Sequence, residues 1–300
     1  QELAALWAKH YAADEKLPPI IGAQCGSCEF KAALNGDLKS GFHECWRAAR
    51  SCTNEQIDAG TIFDIWNLGD KQRLLDAGVF FADEVRQPHL KYQEADSGLS
   101  DSQRQWMQVS GEWPGGGEFY LDRDLIAREM QGWRYPLHFI DFETSRVAIP
   151  FAAGQRPYAV TAFQFSHHVV DAAGQVRHQS QFLQTKPGQQ PNYDFVRALK
   201  RAVGTEGTIF MWWPHENSTL NAILDELEVD AAPPADAATL KAFILSVTSA
   251  KDRCGERAMV DLCTLSRRAY FHPLTQGSSS IKKVLPSVLQ SSDFLRRRYS

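Results

Sequence analysis

Two acidic residues at the end of an apolar segment have the spacing in this chain that best predicts chemistry. Residues 136–144 read PLHFIDFET, so Asp141 and Glu143 follow a short run of apolar side chains. In an extended strand, side chains two residues apart point to the same face, so both carboxylates face one way. Two like charges at the end of a buried strand repel each other unless a cation binds between them, and Mg²⁺ or Mn²⁺ suits such oxygen ligands. The alternative is a strand that ends in water, with both acids solvated.

The elements around this segment predict an α/β domain. Apolar residues alternate with polar ones in the strands and recur every three or four positions in the helices. The order is strand, strand, strand, helix, strand, helix, at residues 137–142, 158–170, 176–183, 193–203, 208–213 and 216–227. Glu216 opens the last of these helices, where the helix dipole would favour an acid whatever its function. His215 is a candidate general base beside it. Trp212 and Trp213 are expected in the core rather than as platforms for stacked bases.

The first part of the chain carries four cysteines, and residues 53–95, which follow them, read as a small helical module without a core of its own. Cys25 and Cys28 form a Cys-x-x-Cys pair, and Cys45 and Cys52 follow at looser spacing. Such a pair brings two thiols within reach of one metal, so a [4Fe-4S] cluster or Zn is one interpretation. Buried thiols with no ligand role are the other.

Length and composition are those of an ordinary soluble protein. The chain has 300 residues, of which 43% are hydrophobic and 23% charged, and its formal net charge is −4. This charge gives no bulk attraction to nucleic acid, so a nucleic-acid site would be a local patch. No apolar run of membrane-spanning length and no signal peptide is evident, and a cytoplasmic location is expected. We divide the chain into a cysteine-bearing segment at 1–95, a linker and helix at 96–133, and the α/β domain at 134–300.

Several short motifs together resemble an uncharacterised bacterial DUF family, in which a RecB-like nuclease is followed by a DEDD-type, RNase H-like exonuclease domain. The motifs are YPLHFIDFET at 135–144, AIP at 148–150, RPY at 156–158, FQFS at 163–166, VDL at 260–262, FHP at 271–273 and the GSxSIKKVLP segment from 277. The resemblance covers most of residues 134–290. The cysteine-bearing segment is similar to the tail of the RecB-like part. The chain is therefore expected to be a fragment, with the upstream nuclease region in the same native chain.

The resemblance implies metal-dependent hydrolysis of phosphodiester bonds in DNA or RNA, in the manner of a 3′-exonuclease and with single strands favoured. In such enzymes, acids from separate motifs hold two divalent ions. Asp141, Glu143 and Glu216 would be metal ligands, and Asp261 is a further candidate that would otherwise cap a helix. From their charge, Lys282, Lys283 and Arg267 are candidates for contacts with the phosphates of nucleic acid, and solvated helix charge is the alternative for each of them.

Two departures from the family pattern keep an alternative function open. The acid of the second motif is Glu216, where these enzymes usually have aspartate, and the last acidic motif is not found before the chain stops at Ser300. The alternative is a catalytically incomplete domain that binds nucleic acid or serves as a scaffold for an associated nuclease.

Overall fold

The structure is a computed structural model of the chain and describes residues 2–34, 38–186 and 188–299. The expectations about the chain ends, at Gln1 and Ser300, lie outside these residues. The helices are α1 Glu2–Ala12, α2 Gly41–Arg50, α3 Asn54–Asp58, α4 Lys71–Asp76, α5 Asp101–Ser110, α6 Arg123–Gln131, α7 Asn192–Val203, α8 His215–Val229, α9 Ala237–Val247, α10 Leu262–Ala269, α11 Ile281–Ser291 and α12 Asp293–Tyr299. The strands are β1 Tyr120–Leu121, β2 Leu137–Ser145, β3 Thr161–Val170, β4 Val176–Leu183, β5 Thr208–Met211, β6 Ser249–Ala250, β7 Arg253–Cys254, β8 Val260–Asp261 and β9 Tyr270–Phe271.

The chain forms two compact units. One contains residues 1–121, 271–278 and 283–300, and the other contains residues 122–270 and 279–282. The second unit holds the predicted acidic motif. The domain boundaries at residues 95 and 134 stay predictions.

Five strands of the second unit form one mixed sheet in the order β4-β3-β2-β5-β8. The central strand β2 is antiparallel to β3 and parallel to β5, and β5 is parallel to β8. This is a five-stranded mixed sheet flanked by helices, as the sequence predicted. Because β2, β5 and β8 run the same way, their carboxyl ends meet at one edge of the sheet, which is where α/β proteins place their sites.

The alternation of β2 fixes which side chains reach the core. Ile140 and Phe142 are buried, whereas Asp141 and Glu143 are exposed, as the period of two requires. Opposite Phe142, α7 contributes Phe195, whose ring meets that of Phe142 edge to face at 4.8 Å between centroids. Burying an aromatic side chain of this kind contributes roughly 1.5–3 kcal/mol, so the strand that carries the acids is firmly seated.

α8 and α9 complete the core on this face of the sheet. The stripe predicted for α8 is confirmed, because Leu220, Ile223, Leu224 and Leu227 are all buried in one cluster. α9 adds Leu240 and Ile244 to the same cluster. The helix that begins with His215 and Glu216 is therefore held rigidly against the sheet.

The first unit has a core of its own, so the prediction of a helical module without one was wrong. Trp46 is fully buried and contacts the rings of Phe42, Phe80 and Phe81 at 5.5–6.3 Å between centroids. Thr53 and Gln56 form a capping box at the start of α3. Short turns of helix, rather than long regular elements, carry most of the buried side chains, which is why period counting missed the core.

One strand of the second unit is shorter than predicted, and another was not predicted. The predicted strand at 208–213 ends at Met211. Val260 and Asp261 form β8 before α10 begins. A strand of two residues has no measurable alternation, so only its pairing with β5 identifies it. Within the described residues, the structure contains no helix long and apolar enough to cross a membrane.

Candidate functional site

The carboxyl ends of β2, β5 and β8 bring the predicted acids to one edge of the sheet. Asp141 and Glu143 leave β2 on one face, and both side chains are exposed. Asp261 ends β8, where it pairs in register with Met211 of β5. Glu216 lies in the first turn of α8, five residues after β5 ends at residue 211. Residues that are 120 positions apart in the chain are thereby gathered by the topology of the sheet.

Among these acids, Glu216 has the most deeply buried side chain. Its side chain is only 4% exposed, and its Oε2 atom is buried without a hydrogen-bond partner. Burial raises the pKa of the Glu216 carboxyl to about 7, and the charges of Asp141 and Asp261 raise it as well. The backbone N–H groups of Glu216 and Phe142 act in the opposite direction. A carboxyl in this position holds its proton near neutral pH unless a cation compensates its charge.

His215 lies beside Glu216 and links α8 to the end of β2. Its Nε2 atom is 3.4 Å from Thr144 Oγ1, one residue beyond Glu143. This long contact places the start of α8 next to the carboxyl end of β2. The ring is otherwise exposed, so it can reach a bound molecule, and its role as general base stays a prediction.

Asp261 caps α10, as the alternative interpretation proposed. Its Oδ1 atom accepts hydrogen bonds from the backbone N–H groups of Cys263 and Trp213, each at 2.9 Å. Its Oδ2 atom accepts one from the Thr264 hydroxyl at 2.6 Å. Both oxygens are thus engaged by donors, and Asp261 acts on the site as a fixed negative charge that also anchors the turn before α8.

Asp141, Glu143 and Glu216 have some of the features of a site for a divalent cation. Hard cations such as Mg²⁺ and Mn²⁺ take oxygen ligands, and the unpartnered Oε2 of Glu216 is a ligand atom without another partner. Across residues 2–34, 38–186 and 188–299, no ion pair joins Asp141, Glu143 or Glu216 to a basic side chain. Nor do three His, Cys, Asp or Glu side chains lie close enough together in those ranges to hold a metal ion. The acids therefore lie at one edge of the sheet and interact electrostatically, but they do not form a complete set of metal ligands.

A hydrogen-bond clamp fixes the start of α8. Asn217 accepts the Ser249 backbone N–H at 2.8 Å through Oδ1 and donates to the Ser249 carbonyl at 3.0 Å through Nδ2. Asn221, one turn later, donates to the same carbonyl and accepts a bond from Arg253 at 2.6 Å. Because Asn217 directly follows Glu216, this clamp limits the movement of the buried carboxyl.

Two buried histidines, His138 and His167, form a second feature of this unit. His138 Nδ1 lies 2.9 Å from His167 Nε2, His138 Nε2 lies 3.0 Å from the Glu206 carbonyl, and His167 Nδ1 lies 3.0 Å from Ser180 Oγ. A carbonyl only accepts, so His138 carries its proton on Nε2. His167 then donates to His138 from Nε2, and Ser180 donates to His167. Each ring is a neutral imidazole in one defined tautomer.

Burial lowers the pKa of both rings. The pKa of His167 falls to about 4, with smaller contributions from the neighbouring His138, His168 and His178. The pKa of His138 is lowered by burial and, more weakly, by Arg257, against the opposing effect of the Glu206 carbonyl. The chain of hydrogen bonds crosses β2, β3 and β4, and it stabilises the sheet that carries the acids.

The four cysteines of the first unit do not come together as a ligand set in the described residues. Cys52 is buried in the core of this unit, and Cys25 and Cys28 are partly buried against the same core. Cys45 is exposed on α2. These positions are those of small apolar side chains, and the assignment of an iron–sulfur cluster or Zn to them stays a prediction.

The basic residues that were assigned to nucleic acid lie on two helices. Lys282 and Lys283 are exposed in the first turn of α11, and Lys283 contacts Gln276 Oε1 at 3.3 Å. Arg267 is partly buried on α10. Their contact with nucleic acid stays a prediction.

Sequence reasoning missed Trp213 as a surface residue. Trp212 fits the predicted core position, since it is partly buried and its indole Nε1 donates to the Ser279 carbonyl at 3.2 Å. Trp213 is 54% exposed, so the prediction was wrong for this residue. The following residue, Pro214, predicts an extended backbone at residue 213 rather than the positive φ found there, so the sequence carried no signal for this exposed ring.

Comparison with family models matches residues 138–280 to DUF2779, described as a domain of unknown function. The match contains every acid of the sheet edge, and it agrees with the resemblance to an uncharacterised family. Comparison with the curated proteins found no match, and comparison with the solved structures found none either.

Proposed function

We propose that the unit containing residues 122–270 is a divalent-cation-dependent hydrolase that cleaves phosphodiester bonds in DNA or RNA, in the manner of a 3′-exonuclease. The observation that carries this proposal is the buried, unpartnered Oε2 of Glu216 beside exposed acids at the carboxyl edge of the sheet. Catalytic groups in open α/β sheets are placed at this edge. The resemblance of the surrounding motifs to DEDD exonucleases supplies the reaction class.

Glu216 and Asp141 would hold the cation, and Glu143, two residues beyond Asp141 on the same face of β2, would be the third ligand. A bound cation would supply Lewis acidity and reduce the repulsion between water and an anionic phosphodiester. Glu216 would then lose the proton that burial otherwise favours. His215, with its exposed ring next to this carboxyl, would accept or return a proton on the substrate side.

Loss of labelled nucleic acid in the presence of Mn²⁺ tests this proposal. We expect a labelled single strand to shorten with Mn²⁺ and to stay intact with EDTA. Asp141→Asn should lower the rate by at least about 100-fold, since it removes a first ligand to the cation. The control is Asp225→Asn. It removes an exposed acid from α8, the helix that carries Glu216, and should leave the rate unchanged. Equal rates for these two variants would remove Asp141 from the mechanism.

The second candidate is a domain that binds nucleic acid or acts as a scaffold without cleaving. It is favoured by Asp261, because both of its oxygens are taken by hydrogen bonds, and by the lack of a three-ligand set in the described residues. Calorimetric titration separates the candidates. The hydrolase should bind Mn²⁺ in a way that Asp141→Asn abolishes, whereas the scaffold should show no saturable heat at millimolar Mn²⁺.

A further inference from the structure

A long connection leaves the acidic edge of the sheet and carries exposed apolar side chains. Residues 146–160 join β2 to β3, a length that is uncommon unless a loop has a function of its own. Ile149, Phe151 and Tyr158 on this loop are 83%, 61% and 64% exposed. Surface loops are usually polar, so three large apolar side chains in one loop call for a partner.

The loop is anchored internally although its apolar side chains face outward. The Tyr158 N–H donates to the Val147 carbonyl at 2.8 Å, which closes the loop near its base. Gln155 Nε2 donates to Thr161 Oγ1 at 2.5 Å, and Val160 is buried in the core. The exposed rings are thus presented by a fixed loop.

Trp213 extends the same surface from the neighbouring strand. It follows β5, which is parallel to β2, and the contact between Thr144 and His215 joins the two strand ends. Its backbone N–H is held by Asp261 Oδ1 at 2.9 Å. The backbone of Trp213 is therefore fixed at the end of β5, and more than half of the residue's surface is open to solvent.

The backbone at two of these aromatic residues is strained. Tyr158 has φ +60° and Trp213 has φ +78°, and in the described part of the chain they are the two aromatic residues with positive φ. Bulky side chains rarely adopt this conformation, and such outliers concentrate at functional sites. Tyr158 lies in the connection that follows β2, and Trp213 lies just beyond the end of β5.

Basic side chains accompany the rings. Arg146 and Arg156 lie on the same loop, and both are exposed. Exposed rings next to guanidinium groups are the features that bind single-stranded nucleic acids, because bases stack on the rings and phosphates attract the cations. An apolar protein partner would not need the arginines, and a duplex would not offer free base faces.

We propose that Phe151, Tyr158 and Trp213, with Arg146 and Arg156, form a site that stacks the unpaired bases of a single-stranded nucleic acid next to the acidic edge. This inference rests on the proposed function for its choice of substrate, but it assigns a binding site that the acids do not require. Binding does not need the cation, so it can be measured when hydrolysis is switched off.

The experiment measures fluorescence anisotropy of a labelled oligodeoxythymidine of about 12 nucleotides in EDTA. Trp213→Ala should raise the dissociation constant by roughly 5-fold to 100-fold, because stacking one base on an aromatic ring has that value. The matched control is Trp7→Ala, which removes an indole that is 56% exposed on α1 and should not change binding. Trp213→Phe keeps an aromatic ring and should retain most of the affinity, which separates lost stacking from misfolding.

A strand of the same length without bases provides the second arm. The native protein should bind it more weakly than oligodeoxythymidine, and Trp213→Ala should not weaken it further. Arg156→Gln should lower the salt dependence of binding to both strands, since it removes a phosphate contact. Equal binding of the two strands, equal effects of Trp213→Ala and Trp7→Ala, preference for a blunt duplex, or no binding at all would each overturn the proposal.

The outcome is separable from that of the proposed function. Stacking-dependent binding without any Mn²⁺-dependent hydrolysis would leave this inference standing and remove the hydrolase. If Asp141→Asn abolishes hydrolysis but Trp213→Ala does not change binding, the hydrolase stands and the stacking site is removed.

Discussion

The pH dependence of stability tests whether the Glu216 carboxyl is truly enclosed. Its pKa is about 7 in the folded chain, against an ordinary value of 4.5. Between these values the folded chain keeps a proton that the unfolded chain has lost. The free energy of unfolding therefore falls as pH rises from 4.5 to 7, by about 1.4 kcal/mol per unit and about 3 kcal/mol in total.

The lowered pKa of His167 has the opposite effect on the free energy of unfolding over nearly the same pH range. Its pKa is about 4 in the folded chain, against an ordinary value of 6.5. Between these values the ring is protonated in the unfolded chain and neutral in the folded chain, so the free energy of unfolding rises with pH. The total is again about 3 kcal/mol, and the lowered pKa of His138 adds a further rise. These rises oppose the fall caused by Glu216, so we expect the native profile to be less steep than that of Glu216→Gln from about pH 4.5 to 6.5.

Single substitutions should uncover each effect. Glu216→Gln removes the acid and should leave a free energy of unfolding that rises by about 3 kcal/mol between pH 4 and 6.5. His167→Gln removes the ring and should leave one that falls by a similar amount between pH 4.5 and 7. Both comparisons use the slope of each variant, so a constant loss of stability from the substitution does not affect them.

The assay is a urea titration in EDTA, repeated across this pH range. Pulsed hydrogen exchange of peptides from β2 and β5 reports the unfolding of the unit that contains Glu216. Asp225→Asn, which alters an exposed acid of the same helix, should follow the native profile. If Glu216→Gln follows the native profile as well, Glu216 is not enclosed and the electrostatic description of the site is refuted.

Further predictions concern the groups that support the site. Ser180→Ala should lower the free energy of unfolding by about 1–3 kcal/mol, because His167 Nδ1 would lose its buried donor, and urea titration measures this. Gly255→Ala should cost at least about 1–3 kcal/mol by the same assay, since a Cβ there would meet the carbonyl oxygens of Leu245 and Ser246. Asp261→Ala should cost about 0.5–2 kcal/mol through loss of the helix cap, and Asp261→Asn should recover part of it. Mn²⁺ added at pH 8 should raise the melting temperature of the native protein, and Asp141→Asn should abolish the increase.

The sequence alone determined the framework of the second unit. Alternation placed Asp141 and Glu143 on one face of β2, and the spacing of Leu220 to Leu227 predicted the buried stripe of α8. Both patterns are local, because a strand or helix repeats its direction every two or about four residues. They could therefore be read without knowing what packs against them.

The tertiary structure decided what each residue at the edge does. Glu216 and His215 are neighbours in sequence, yet one is enclosed with an unpartnered oxygen and the other is exposed. Asp261 reaches the group through β8, a strand too short for any pattern to reveal. Trp213 turns outward, with a conformation that its side chain would not choose in an isolated peptide. Burial and charge arise from segments that are distant in sequence, and the chain determines them only when the sheet has assembled.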